Sequence, residues 1–146
     1  MDRKKRKKVR EAEEPPQSVI QAAAFYHCRK KDRLVVGNGE HLSEMRTAID
    51  DLVREAGLTL FGSSVERYSD EEHHGYTYLA WIGESAIDIH TWPEYNSAIV
   101  NTHLCNISHN NDKKREAFFT AVQKFYHSRK PIVAVPSRLN LKSGRR

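Results

Sequence analysis

Apolar residues along this chain fall into two periods. In the middle, Ile87 and Ile89 alternate with Asp88 and His90, the two-residue period of a half-buried strand, and Pro93 ends the ladder. Residues 18–28 are apolar and end in Phe25 and Tyr26, which reads as a first strand although three alanines also suit a helix. Charged residues 29–33 follow as a loop, and Leu34-Val35-Val36 reads as a short strand broken by Gly37-Asn38-Gly39. The spacing then changes: Met45, Ala48, Ile49, Leu52, Val53 and Ala56 lie on one stripe of an amphipathic helix. Ser43 suits its N-cap and Gly57 its C-terminal stop. Residues 58–68 form a second strand region, interrupted at Gly62-Ser63-Ser64, and residues 69–75 form a polar loop. Residues 76–82 are apolar on both faces after Thr77, which predicts a central strand, and residues 97–105 make another. A second helix over 112–128 has Phe118, Ala121, Val122 and Phe125 as its buried stripe, with Lys113, Lys114, Gln123 and Lys124 turned away. Pro131 stops it, and residues 132–135 read as a closing strand.

The expected order is β-α-β-β-β-α-β. Two helices on one face of a mainly antiparallel sheet make an α+β fold, a two-layer sandwich. A chain of 146 residues is one domain, with no internal repeat. Residues 1–16 read as a disordered arm ending in Pro15-Pro16, residues 17–136 as the folded domain, and residues 137–146 as a frayed basic tail.

Charge changes the picture only at the ends. The formal net charge is +5, yet residues 1–16 hold seven Lys/Arg against four Asp/Glu, and residues 137–146 hold four Lys/Arg and no acid. The body between them is slightly acidic, so no nucleic-acid-binding face is expected of it. The run from Arg3 to Lys8 reads first as a solubilising tail. No apolar run approaches the roughly 20 residues of a membrane helix, and the basic start leads into acids and prolines instead of an apolar signal core. A cytoplasmic protein is expected, with Cys28 and Cys105 as free thiols.

The candidate chemistry sits in Gly83-Glu84-Ser85-Ala86-Ile87-Asp88-Ile89-His90-Thr91-Trp92-Pro93-Glu94-Tyr95. Ser85 and His90 are an odd number of positions apart and face opposite ways on a straight strand. A bulge near Ser85 or a turn near His90 is needed to bring them together. Glu84-Ser85, the run from Ile89 to Glu94, Cys105 twenty positions after Ser85 and Thr77 eight before it resemble the processing site of the prokaryotic S-adenosylmethionine decarboxylase family. The close match covers residues 75–106.

The resemblance implies a proenzyme that cuts itself between Glu84 and Ser85, leaving residues 1–84 and residues 85–146. Ser85 then becomes a pyruvoyl group, the covalent cofactor. Decarboxylation of an amino acid leaves a carbanion and needs an electron sink, normally a carbonyl that forms an imine with the substrate amine. No side chain offers a ketone, and the sequence holds no phosphate loop or other cofactor motif. In the implied roles, His90 is the base that removes the Ser85 α-proton, Thr77 supports processing, and Cys105 is the proton donor to the carbanion. Trp92 and Glu94 shape the substrate pocket. The family's two-layer α/β sandwich agrees with the fold expected above, and its members pair as dimers of cleaved protomers with active sites at the interface.

This chain departs from the family at four places. Ala86 stands where a histidine usually follows the serine, Glu71 falls where an aromatic stacks on adenine, the Gly-Lys-His start is not visible, and the usual glycine after Cys105 is missing. Glu71, with Asp70 and Glu72, suits a cationic substrate, so a pyruvoyl-dependent arginine or ornithine decarboxylase is the alternative. A non-enzymatic relative that binds a ligand or nucleic acid through its basic ends is a third reading. His73, His74, His90, His103 and Cys105 lack the spacing of a zinc site, so no metal is expected, although His103 and Cys105 share one strand face.

Overall fold

The computed structural model describes residues 18–37, 39–68, 72–107 and 109–141. The arm expected over residues 1–16 and Glu71 lie outside the described residues. Six strands form one sheet: β1 (Ser18–His27), β2 (Leu60–Arg67), β3 (Tyr76–Ile82), β4 (Ser85–Trp92), β5 (Ser97–Asn106) and β6 (Ile132–Asn140). Their order is β2-β3-β4-β5-β1-β6, and every neighbouring pair is antiparallel. Two helices, α1 (Gly39–Glu55) and α2 (Asp112–Phe125), join the sheet in one core. The expected α+β sandwich stands, with one strand more than the expected order, because residues 76–92 form two strands joined by the Gly83-Glu84 turn.

Alternation decides what the helices cover. Ile20, Ala22, Ala24 and Tyr26 of β1 are buried, as are Tyr76, Tyr78, Ala80 and Ile82 of β3, and Ile87 and Ile89 of β4. The small Ala22 and Ala24 leave room for Phe118, Phe119 and Val122 of α2, which belong to the same core. The alanines therefore serve strand packing here. In α1, Ile49 and Val53 are buried, with Met45, Leu52 and Ala56 packed at their margin.

Helix ends differ from expectation at one terminus and agree at the other. The helix begins at Gly39, so Ser43 lies in its second turn. At the other end Gly57 takes φ +84, its N–H reaches the Arg54 carbonyl (2.9 Å), and the Leu58 N–H reaches the Val53 carbonyl (3.3 Å). This pair of bonds is the Schellman stop, and glycine meets its left-handed requirement without a Cβ penalty. It delivers Thr59 to the start of β2.

Three other segments correct the sequence reading. Leu34 and Val36 are buried but form no strand; they fill the core from a loop. The second strand runs through Gly62-Ser63-Ser64, with its irregularity between Leu60 and Gly62 instead. The closing strand continues to Asn140, so part of the expected tail is paired to β1. Among the described residues, no helix is long and apolar enough to cross a membrane.

The face away from the helices is open. β3 is an interior strand, yet Leu79 is 45% and Trp81 57% exposed, contrary to burial on both faces. Phe25 and Ile132, paired with each other, are exposed on the same face.

Candidate active site

The Gly83-Glu84 turn carries the candidate cleavage point. Ser85, the first residue of β4, is exposed and has φ 140, in the region that disfavours a side chain. Such backbone costs on the order of 1–3 kcal/mol and persists only where its surroundings impose it. Here both sides are held. Downstream, Ser85 is in register with Ile82 and Leu104. Upstream, the Glu84 carbonyl accepts a hydrogen bond from the Cys105 N–H (2.8 Å).

The Glu84 side chain turns inward and is buried. Its carboxylate accepts the Thr59 N–H (3.1 and 3.3 Å to its two oxygens) and the Thr59 hydroxyl (3.1 Å). The Lys114 ammonium stands 4.0 Å away. A cavity of about 320 Å³ adjoins this turn, lined by Thr59, Phe61, Glu84, Cys105, His109 and Asn111 among others. Cys105 is half-buried there.

Behind Cys105 lies a group that the sequence reading missed. The Asn111 amide donates to the Cys105 carbonyl (2.6 Å), and the Asn111 N–H donates to the Asn106 side-chain oxygen (2.9 Å). Asn106 and Asn111 are both buried. Asn106 lies in the region after Cys105 that lacks the expected glycine; its side chain ties down the loop that carries Asn111.

His90 does not join this cluster within one chain. The β3–β4 ladder runs without a bulge from Thr77 opposite His90 to Ile82 opposite Ser85. At roughly 3.3 Å per residue, five steps put the two backbones about 16 Å apart. The bulge or bend that the sequence reading required is absent. His90 stands in its own cluster on the open face: Nδ1 is 3.1 Å from the Thr77 hydroxyl, and Nε2 is 3.0 Å from Asp88 Oδ1. The Asn101 amide donates to the same Asp88 oxygen (2.8 Å). A carboxylate only accepts, so Nε2 carries a proton, and in the neutral ring Nδ1 accepts from Thr77. Thr77, expected only to support processing, bonds to His90 here; neither that pairing nor Asp88 and Asn101 were foreseen. Asp88 lies two positions from His90 on one strand face, and that spacing was the available signal.

Trp92 and Glu94 sit beyond His90. The Trp92 ring is 6.3 Å from the His90 ring, and Glu94 is exposed in the 3-10 turn Pro93–Tyr95. Thus one end of β4 holds Glu84, Ser85 and Cys105. The other holds Thr77, His90, Trp92 and Glu94. Ala86 falls between them, opposite Trp81 and His103.

Residues 23–134 match the sequence model of the S-adenosylmethionine decarboxylase family. Among relatives, the S-adenosylmethionine decarboxylase proenzyme of Archaeoglobus fulgidus is 32% identical over 81 residues, 56% of this chain and 67% of that protein. The Thermosipho melanesiensis proenzyme is 34% identical over 83 residues, 57% of each chain. The Synechococcus sp. WH7803 proenzyme is 41% identical over 61 residues, 42% of this chain and 45% of that one. The chain thus spans between about half and two thirds of the length of the curated relatives it matches. The fold is shared with the crystal structure of the adenosylmethionine decarboxylase from Aquifex aeolicus VF5, at a TM-score of 0.63 and 21% identity, over 82% of this chain and 88% of that one. On the extent of the family match, this chain belongs to the S-adenosylmethionine decarboxylase family.

Proposed function

We propose that this chain is a self-processing proenzyme whose mature form decarboxylates S-adenosylmethionine, the step that commits it to polyamine synthesis. The observation that carries this reading is the hydrogen bond from the Cys105 N–H to the Glu84 carbonyl, beside a strained Ser85, in a chain of this family. An amide N–H already aimed at a carbonyl stabilises the oxyanion that forms when that carbonyl is attacked.

Ser85 Oγ attacks the Glu84 carbonyl carbon. The Glu84–Ser85 C–N bond breaks as the C–O bond forms, and the amide becomes an ester. Rotation at Ser85 then relieves its backbone strain. A base removes the Ser85 α-proton and the Glu84 carboxylate leaves, giving dehydroalanine at position 85. Water adds, ammonia departs, and residues 1–84 and 85–146 remain. The residues present fit this origin of the pyruvoyl group: an exposed Ser85 follows a carbonyl that accepts the Cys105 N–H, and Glu84 and Cys105 line one cavity. That group supplies a ketone, the electron sink that amino-acid decarboxylation requires. Cys105 Sγ is the proton donor to the substrate carbon, and its carbonyl bond to Asn111 holds it at the cavity.

The base is His90, supplied by a second copy. Its roughly 16 Å of separation from Ser85 along one strand excludes direct transfer within a straight β4. The open face exposes Phe25, Leu79, Trp81 and Ile132, an apolar surface suited to burial. Two protomers stacked on these faces in opposite senses bring the partner's His90 to Ser85, and twofold symmetry completes both sites at once. In this homodimer Thr77 and Asp88 hold the imidazole, while Trp92 and Glu94 line the substrate pocket.

Purified protein is offered carboxyl-labelled S-adenosylmethionine, arginine and ornithine separately. Labelled carbon dioxide from S-adenosylmethionine is the expected result. Release from arginine or ornithine alone overturns the substrate assignment.

A further inference from the structure

We propose that Thr59 is a positioning residue for backbone cleavage: it grips the Glu84 side chain and so keeps the adjoining Ser85 in its strained conformation. The inference rests on self-cleavage at this bond and explains why the residue before the serine carries a carboxylate. Thr59 meets the turn three times. Its carbonyl accepts the Gly83 N–H (2.7 Å), while its N–H and hydroxyl both donate to the Glu84 carboxylate. Lys114 approaches the same carboxylate from α2 at 4.0 Å.

The grip acts on the reaction through geometry. The Glu84 carbonyl must stay on the Cys105 N–H while the Ser85 hydroxyl approaches its carbon. Ser85 gains by relaxing from φ 140 to a negative φ, which requires the Glu84–Ser85 peptide to turn and its carbonyl to leave the Cys105 N–H. Thr59 holds the upstream side of this peptide through the Glu84 carboxylate and the Gly83 N–H, so the turn cannot be shared with neighbouring residues and must break the Cys105 bond outright. The clamp therefore maintains the strained, attack-ready peptide. After cleavage Glu84 becomes a chain end, and the same bonds keep it beside the cavity.

The test follows cleavage of freshly refolded chain by gel and intact mass, in a cycle of Thr59→Val, Glu84→Ala and the double variant. Thermal unfolding checks that each has folded, and Thr59→Ser serves as the conservative control. Thr59→Val is expected to slow cleavage about tenfold, the effect of one hydrogen bond to a charged group. Thr59→Ser is expected to restore the rate, and Thr59→Val to add nothing once Glu84 is alanine. Wild-type speed in Thr59→Val, or an equal slowing by it in the Glu84→Ala background, overturns the clamp and leaves self-cleavage standing. A wild-type chain that stays uncut overturns both.

Discussion

At the scale of single residues, the two cysteines differ in what surrounds them. Cys28 is 3% exposed, and burial pushes its thiol up to about 11. Cys105 borders a cavity open to reagent. Alkylation with iodoacetamide near pH ~8 is expected to label Cys105 and spare Cys28, because only Cys105 borders the cavity. Peptide mapping checks this, and labelling of Cys28 in the native protein contradicts it. Candidate residues could be picked from the sequence where chemistry and spacing coincide, as for Glu84, Ser85, His90 and Cys105. Thr59 was not legible. It lies 25 positions before Glu84, and only the β2–β3–β4 meander brings the two together. Asn111 was equally hidden, because a loop asparagine carries no period or motif.

Among the elements, β1, β3 and α2 meet through buried phenols. The Tyr76 and Tyr126 hydroxyls are 2.6 Å apart, Tyr76 donates to the Arg33 carbonyl (3.2 Å), and Tyr26 donates to the Phe119 carbonyl (2.8 Å). Burial raises the pKa of all three phenols above the ordinary tyrosine range. The folded state thus keeps protons that the unfolded chain loses. Stability from these groups is complete below the unfolded value of about 10 and declines as pH rises past it; Cys28 adds to the decline from about pH 9. The unfolding temperature is expected to hold to roughly pH 9 and fall by pH ~11, less steeply in Tyr126→Phe. A flat profile contradicts the packing described here. The period of β4 was readable because burial on one face writes alternation into Ile87, Asp88, Ile89 and His90, while β1 and β3 showed only as apolar runs. The far part of β6 was not readable. Residues 137–140 are polar apart from Leu139, and an edge strand needs only the backbone of one neighbour, which leaves no regular apolar signature.

For the whole molecule, the proposed homodimer divides the labour between copies. A Ser85→Ala chain keeps His90 but has no hydroxyl to attack, and a His90→Ala chain keeps the hydroxyl but lacks the base. Each alone is expected to stay uncut. Refolded together, they are expected to cleave the His90→Ala chain, because the mixed dimer holds one complete site. No cleavage in a mixture shown to form mixed dimers contradicts a base supplied in trans. The odd offset of Ser85 and His90 in the sequence already argued against their meeting along one straight strand. What it did not reveal was the remedy. An open sheet face reads as an interior strand when only one chain is considered, so Leu79 and Trp81 suggested burial that the single protomer does not provide.

All of this depends on the bond between Glu84 and Ser85. Intact mass of the purified protein, beside the Ser85→Ala variant, measures that bond directly. Two fragments are predicted, ending at Glu84 and beginning at position 85 with a ketone in place of the amine, while the variant remains one chain. An active wild-type protein with a continuous backbone, or a Ser85→Ala chain cut at the same place, would contradict the account.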